Sequence, residues 1–81
     1  MNSASFQVRD TVRIVRLLVA EREVMGASAA PPQPHVGETG TVVEDVGEGL
    51  YLVEHVTDDG VTVWLAEFFG EELELLDRVD D

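Results

Sequence analysis

The chain has 81 residues, enough for one small domain and too few for two. Its hydrophobic fraction of 44% suits a globular core, and the absence of cysteine excludes disulfides and thiolate metal sites as supports for that core. The formal net charge is -12 at pH 7 with no lysine, a balance that repels phosphate backbones and argues against DNA or RNA binding.

The charge is unevenly placed. Residues 1–37 carry Arg9, Arg13, Arg16 and Arg22 against three acids, whereas residues 38–81 carry fourteen acids against Arg78 alone. The acidity fits solubility or a saline habitat, and its sharper reading is an acidic face that meets a basic partner. "MNSASFQVRD" lacks the basic start and apolar run of a signal peptide, and no apolar run approaches the roughly 20 residues of a membrane helix. A cytoplasmic protein without membrane contact is therefore expected.

Residues 1–7 read as a flexible start. "VRDTVRIVRLLV" (8–19) fits two periods. With period 2 it is a strand rich in β-branched residues; with period 3.6, Val8, Val12, Val15 and Val19 share a helical face that Asp10 caps. The strand is favoured because the later pattern needs a first strand. "AEREVMGASAAPPQPHV" (20–36) is a long early loop, broken by Gly26 and set into a polyproline-like path by Pro31, Pro32 and Pro34.

From Gly37 the pattern is regular. "TVVEDV" is a strand, "GEG" a tight turn and "LYLVEHV" (50–56) the next strand. "TDDG" (57–60) is a hairpin turn and "VTVWLAE" (61–67) the return strand. "FFGEE" suits a single 3₁₀ turn, "LELL" (73–76) a last short strand, and residues 77–81 an acidic tail. The expected fold is all-β: a small barrel of about five antiparallel strands over 8–76, with hairpin links. The expected core is Val12, Ile14, Val42, Tyr51, Val53, Val63, Leu65, Phe68, Leu73 and Leu75.

The Gly-x-x-Gly-x-Val start at Gly37 is similar to the KOW-type turn and strand of SH3-like barrels. "GTVVEDV", "LYLVEHV" and "DDGVTVWLAEFFGEELELL" together resemble a bacterial family of small SH3-like proteins of unknown function, with its "GTVV" and "YxVEF"-like strands. The resemblance covers residues 37–76 and, loosely, 8–18. It extends distantly to the barrel of the nitrile hydratase beta subunit and its accessory proteins. It implies an SH3-like barrel and carries over no catalytic residue. His55 departs from it, standing where the family has an aromatic such as Phe, and the "GASAAPPQP" insertion is longer than the family's.

The residues offer little chemistry. Ser3, Ser5 and Ser28 lie in weakly structured segments, no Gly-x-Ser-x-Gly elbow exists, and "GETG" has neither the glycines nor the lysine of a phosphate loop. His35, Glu54, His55 and Asp58 are possible nitrogen and oxygen ligands but have no metal-site spacing; the acidic turns read as solvated and His55 as a packed histidine. Glu67, Glu71, Glu72 and Glu74 read as a solvated edge. An enzyme, a cofactor and a metal centre are not expected.

Alternation with Val63 and Leu65 predicts that Trp64 points outward, joined by Phe69. Leu50, Leu52, Val56 and Trp64 then form an apolar patch too large for a lone monomer, which predicts a homodimer or a protein partner. The candidate partner-binding residues are Leu50, Leu52, His55, Trp64, Phe69 and Pro32. The expected function is a non-catalytic protein–protein interaction module; the alternatives are an accessory or activator subunit of a bacterial enzyme and a weak metal-binding protein.

Overall fold

The computed structural model describes residues 5–78. Five strands form in chain order: β1 (Thr11–Ile14), β2 (Thr39–Gly47), β3 (Leu50–Val56), β4 (Thr62–Phe69) and β5 (Leu73–Asp77). A 3₁₀ turn, Gly70–Glu72, links β4 to β5. The strands make one antiparallel sheet in the order β4-β3-β2-β1-β5. Register shifts interrupt β1–β5, β2–β3 and β3–β4, the irregularities that bend and twist a sheet. The result is a small barrel-like all-β fold in which β4 and β5 are the two ends of the sheet and do not pair, so the barrel stays open. Among the described residues no helix is long and apolar enough to cross a membrane.

The turns follow from local chemistry. Gly47 pairs with Leu50, leaving Glu48 and Gly49 as a two-residue loop. Both have positive φ, 58° and 80°, the geometry of a type I′ hairpin turn, whose twist matches that of the flanking strands. At the β3–β4 hairpin the Thr57 hydroxyl donates to Asp59, and that bond, ahead of a backbone bond and against a small effect of burial, holds the Asp59 carboxyl below its ordinary pKa. "TDDG" is thus an internally bonded turn.

The segment before β1 resolves the two periods of residues 8–19. Thr11–Ile14 is a strand that pairs with both β2 and β5. Asp10, fully buried, does not cap a helix; its carboxylate accepts the Gln7 N–H at 2.8 Å and closes the turn into β1. Residues 1–4 of the expected flexible start, and 79–81 of the acidic tail, lie outside the described residues. Phe6 is buried against Tyr51, ring edge to ring face at 5.2 Å, and Asp77 is the last residue of β5.

The core sits on the inner face of the sheet. It holds Phe6, Val12, Ile14, Val42, Tyr51, Val53, Trp64, Ala66, Phe68 and Leu73. The expected face of β4 is therefore reversed. Trp64 does not point outward: it is 0% exposed, while Leu65 lies half-buried on the groove side and Val63 is half-buried against the core without entering it. The register explains this. Tyr51 and Val53 face inward, and their partners on β4 are Phe68 and Ala66, so Trp64 opposite His55 shares that face. Leu75 is exposed, because only Leu73 of β5 reaches the core.

Gly40 shows how tightly the strands approach. A Cβ there would lie 2.6 Å from Val53 Cγ1 and 2.8 Å from the Glu54 carbonyl oxygen. Gly40→Ala is expected to destabilise by about 1–3 kcal/mol, as overpacking does, read as a lower urea midpoint at unchanged slope.

Candidate docking groove

The long loop determines what the outer face of β3 and β4 presents. It leaves β1 beside the 3₁₀ turn, where the Val15 N–H donates to the Glu72 carbonyl at 2.8 Å. It then runs to the free edge of β4. There Met25 and Leu65 exchange both backbone hydrogen bonds, at 3.0 and 2.7 Å, and the Ala27 N–H reaches the Thr62 carbonyl. A Cβ on Gly26 would meet the Val63 carbonyl oxygen at 2.6 Å, so only glycine lets the loop backbone lie this close. The loop thus covers part of an edge that would otherwise pair with other chains.

A buried ion pair fixes the loop. Glu72 has no exposed surface, which corrects its reading as part of a solvated edge; Glu67, Glu71 and Glu74 are solvated as expected. Its carboxylate accepts N–H groups from Leu18 and Phe69, each at 2.8 Å, and two bonds from the Arg22 guanidinium. Arg22 also donates to the Glu67 carbonyl at 2.6 Å and stacks over the Phe68 ring at 4.3 Å. The Gln33 side-chain amide bonds the Arg22 backbone on both sides, donating at 2.8 Å and accepting at 3.0 Å. Burial pushes the Glu72 carboxyl up, but the bonds from Arg22 and the two backbone N–H groups, with the guanidinium charge, outweigh it and hold the pKa below its ordinary value.

Between this anchored loop and the outer face of β3 and β4 lies a groove of about 600 Å³. Leu50, Leu52, Leu65 and Phe69 supply its apolar floor from the sheet, and Val19 and Met25 come from the loop. Glu21, Glu23 and Glu67 are its exposed charged lining. Among the described residues none that lines it is a serine, threonine, cysteine or histidine.

Three of the six residues singled out from sequence meet here: Leu50, Leu52 and Phe69. Trp64 and His55 belong to the other face. The His55 ring stacks on Trp64 at 5.3 Å, and its Nδ1–H donates to the Thr39 carbonyl at 2.6 Å. The Trp64 indole N–H donates to Glu38 Oε1 at 3.1 Å, and the same oxygen accepts the His35 N–H at 2.7 Å. Pro32 is exposed and does not line the groove, whereas Pro34 is buried. Val19 and Met25 were not singled out; the i, i+2 alternation of Leu50 and Leu52 marks the floor, but no local signal marks where the loop lands. Among the described residues no group of three or more His, Cys, Asp or Glu is arranged to hold a metal ion.

Comparison of the chain with protein-family models, with curated proteins and with solved structures finds no match.

Proposed function

We propose that the protein is a non-catalytic protein–protein interaction module and that the groove between the long loop and strands β3 and β4 is its docking site. The observation that supports this reading is the groove itself: apolar side chains from two strands and a loop, gathered at the surface around one concavity and left open to solvent. Contiguous exposed apolar surface of this kind marks interaction sites on small domains. The SH3-like family resemblance, with its strand order of hairpins and one long loop, is compatible with a binding role and adds no reaction.

The test is a double substitution, Leu52→Glu with Phe69→Ala, on the groove floor. Both side chains lie outside the buried core, so the circular dichroism spectrum is expected to stay that of the wild type and the melting temperature to move by only a few degrees. Chemical cross-linking in cells, read by mass spectrometry, is expected to give defined partner peptides joined near the groove in the wild type and none in the variant. Identical cross-links in both proteins overturn the proposal. A wild-type dimer that the variant turns into a monomer identifies the occupant as a second copy.

A further inference from the structure

We infer that the groove takes an extended segment of a partner protein in which basic residues alternate with apolar ones. The inference rests on the docking reading above and adds the chemistry of the occupant.

The first argument is the shape of the fork. Met25 and Leu65 form a complete antiparallel bridge, and continued pairing would bring Glu23 opposite Glu67. It does not continue. The Glu67 carbonyl is occupied instead by the Arg22 guanidinium, while Gln33 holds the Arg22 backbone from the other side. Loop and strand part at that point, and the groove lies where they part.

The second is the form of the loop wall. Exposure alternates along it: Glu21, Glu23 and Met25 are exposed, while Arg22 and Val24 are half-buried. This is the period of extended chain, which places Glu21 and Glu23 on one side about 6.6 Å apart. An extended partner has the same repeat between residues i and i+2. Two cations at that spacing meet the two glutamates, and the side chain between them turns the other way, toward Leu50, Leu52 and Phe69.

The third is charge. Among the described residues Arg22 is the only cation lining the groove, and Glu72 already neutralises it. Among the described residues the carboxylates of Glu21, Glu23 and Glu67 have no hydrogen bond or ion pair. The uncompensated charge over an apolar floor is therefore negative, in a chain whose net charge is -12. Such a field speeds the approach of a cationic segment and rejects an acidic one.

The experiment uses isotope-labelled protein and four short synthetic peptides: arginine alternating with leucine, glutamate alternating with leucine, arginine alternating with serine, and the arginine–leucine composition rearranged to helical spacing. The alternating arginine–leucine peptide is expected to bind most tightly and to shift the NMR signals of Leu50, Leu52, Leu65 and Phe69. Added salt weakens it, and Glu21→Gln with Glu23→Gln lowers its affinity by about tenfold. If the glutamate–leucine peptide binds the same residues equally well, the cationic requirement is wrong while the docking reading stands. Equal binding of the helical arrangement overturns the extended geometry. No shift at the groove with any peptide overturns this inference, and the cross-linking comparison of the Leu52→Glu, Phe69→Ala variant then decides the docking reading separately.

Discussion

Trp64→Ala is expected to lower the unfolding free energy by about 3–5 kcal/mol, the cost of truncating a large buried aromatic. Small domains have a total stability of about 5–15 kcal/mol, so the variant should melt far below the wild type or be largely unfolded at 25 °C. The expectation follows from how completely the side chain is used. Trp64 has no exposed surface, lies 5.4 Å from the Phe68 ring, carries the His55 ring on its other flank and donates its indole N–H to Glu38. Truncation opens a cavity and removes a hydrogen bond from Glu38, one of the residues that end the long loop. Calorimetry together with near-ultraviolet circular dichroism reads the loss. A cost below about 1 kcal/mol contradicts the inward placement of the side chain. Trp64→Phe keeps most of the volume and should isolate the indole bond, at about 1 kcal/mol.

The second large effect concerns Arg22. Arg22→Ala leaves the Glu72 carboxylate buried without its cation, a change that costs about 3–5 kcal/mol when one partner of a buried pair is removed. The combined replacement of Arg22 and Glu72 by methionine should cost less than Arg22→Ala, because no unpaired charge remains; urea midpoints of the three proteins check this non-additivity. Acid adds a signed test. In the folded protein the Glu72 pKa lies below its unfolded value, so its contribution is fully present above the unfolded pKa and is lost as pH falls through the folded one. The stability difference between wild type and Glu72→Gln should therefore shrink on acidification. In Arg22→Ala the guanidinium's share of the lowering is gone while burial still opposes the two backbone N–H bonds, so the same difference should shrink less on acidification than it does with Arg22 present. The comparison with Glu72→Gln cancels the relief of repulsion among the other carboxylates, which protonation brings to every variant of so acidic a chain.

Much of the sheet was legible because its signals are local. The β-branched run after Gly40, the "GEG" turn and the "TDDG" hairpin each specify backbone geometry within a few residues, and β2, β3 and β4 follow them. The facing of β4 was not legible from its own alternation, since alternation separates two faces without saying which is inside. Its parity was nevertheless present in the chain. Phe68 and Trp64 are four residues apart, so in an unbroken strand they share a side, and Phe68 was already expected in the core. Glu72 was misread because its partner lies 50 residues away. Within "GEELE" nothing distinguishes the buried acid from its exposed neighbours. The groove was half legible for the same reason: Leu50 and Leu52 follow from strand period, Phe69 was singled out only as a companion of a Trp64 expected to face outward, and the loop wall depends on Arg22, Gln33 and Glu72 coming together from distant positions.

The place of β1 between β2 and β5 has a consequence for synthesis on the ribosome. Of these five strands β1 emerges first, when neither of its neighbours is there to receive it. β2 follows only after the whole long loop, and β5 comes after the other four strands. The consecutive hairpins β2–β3 and β3–β4 involve short loop closures and can form as they appear, whereas the β1–β5 pairing spans almost the full chain and closes slowly. Val12 and Ile14, both buried in the finished sheet, must therefore wait incompletely covered until β5 has been made. The earliest of the five strands is the last to be satisfied on both its edges.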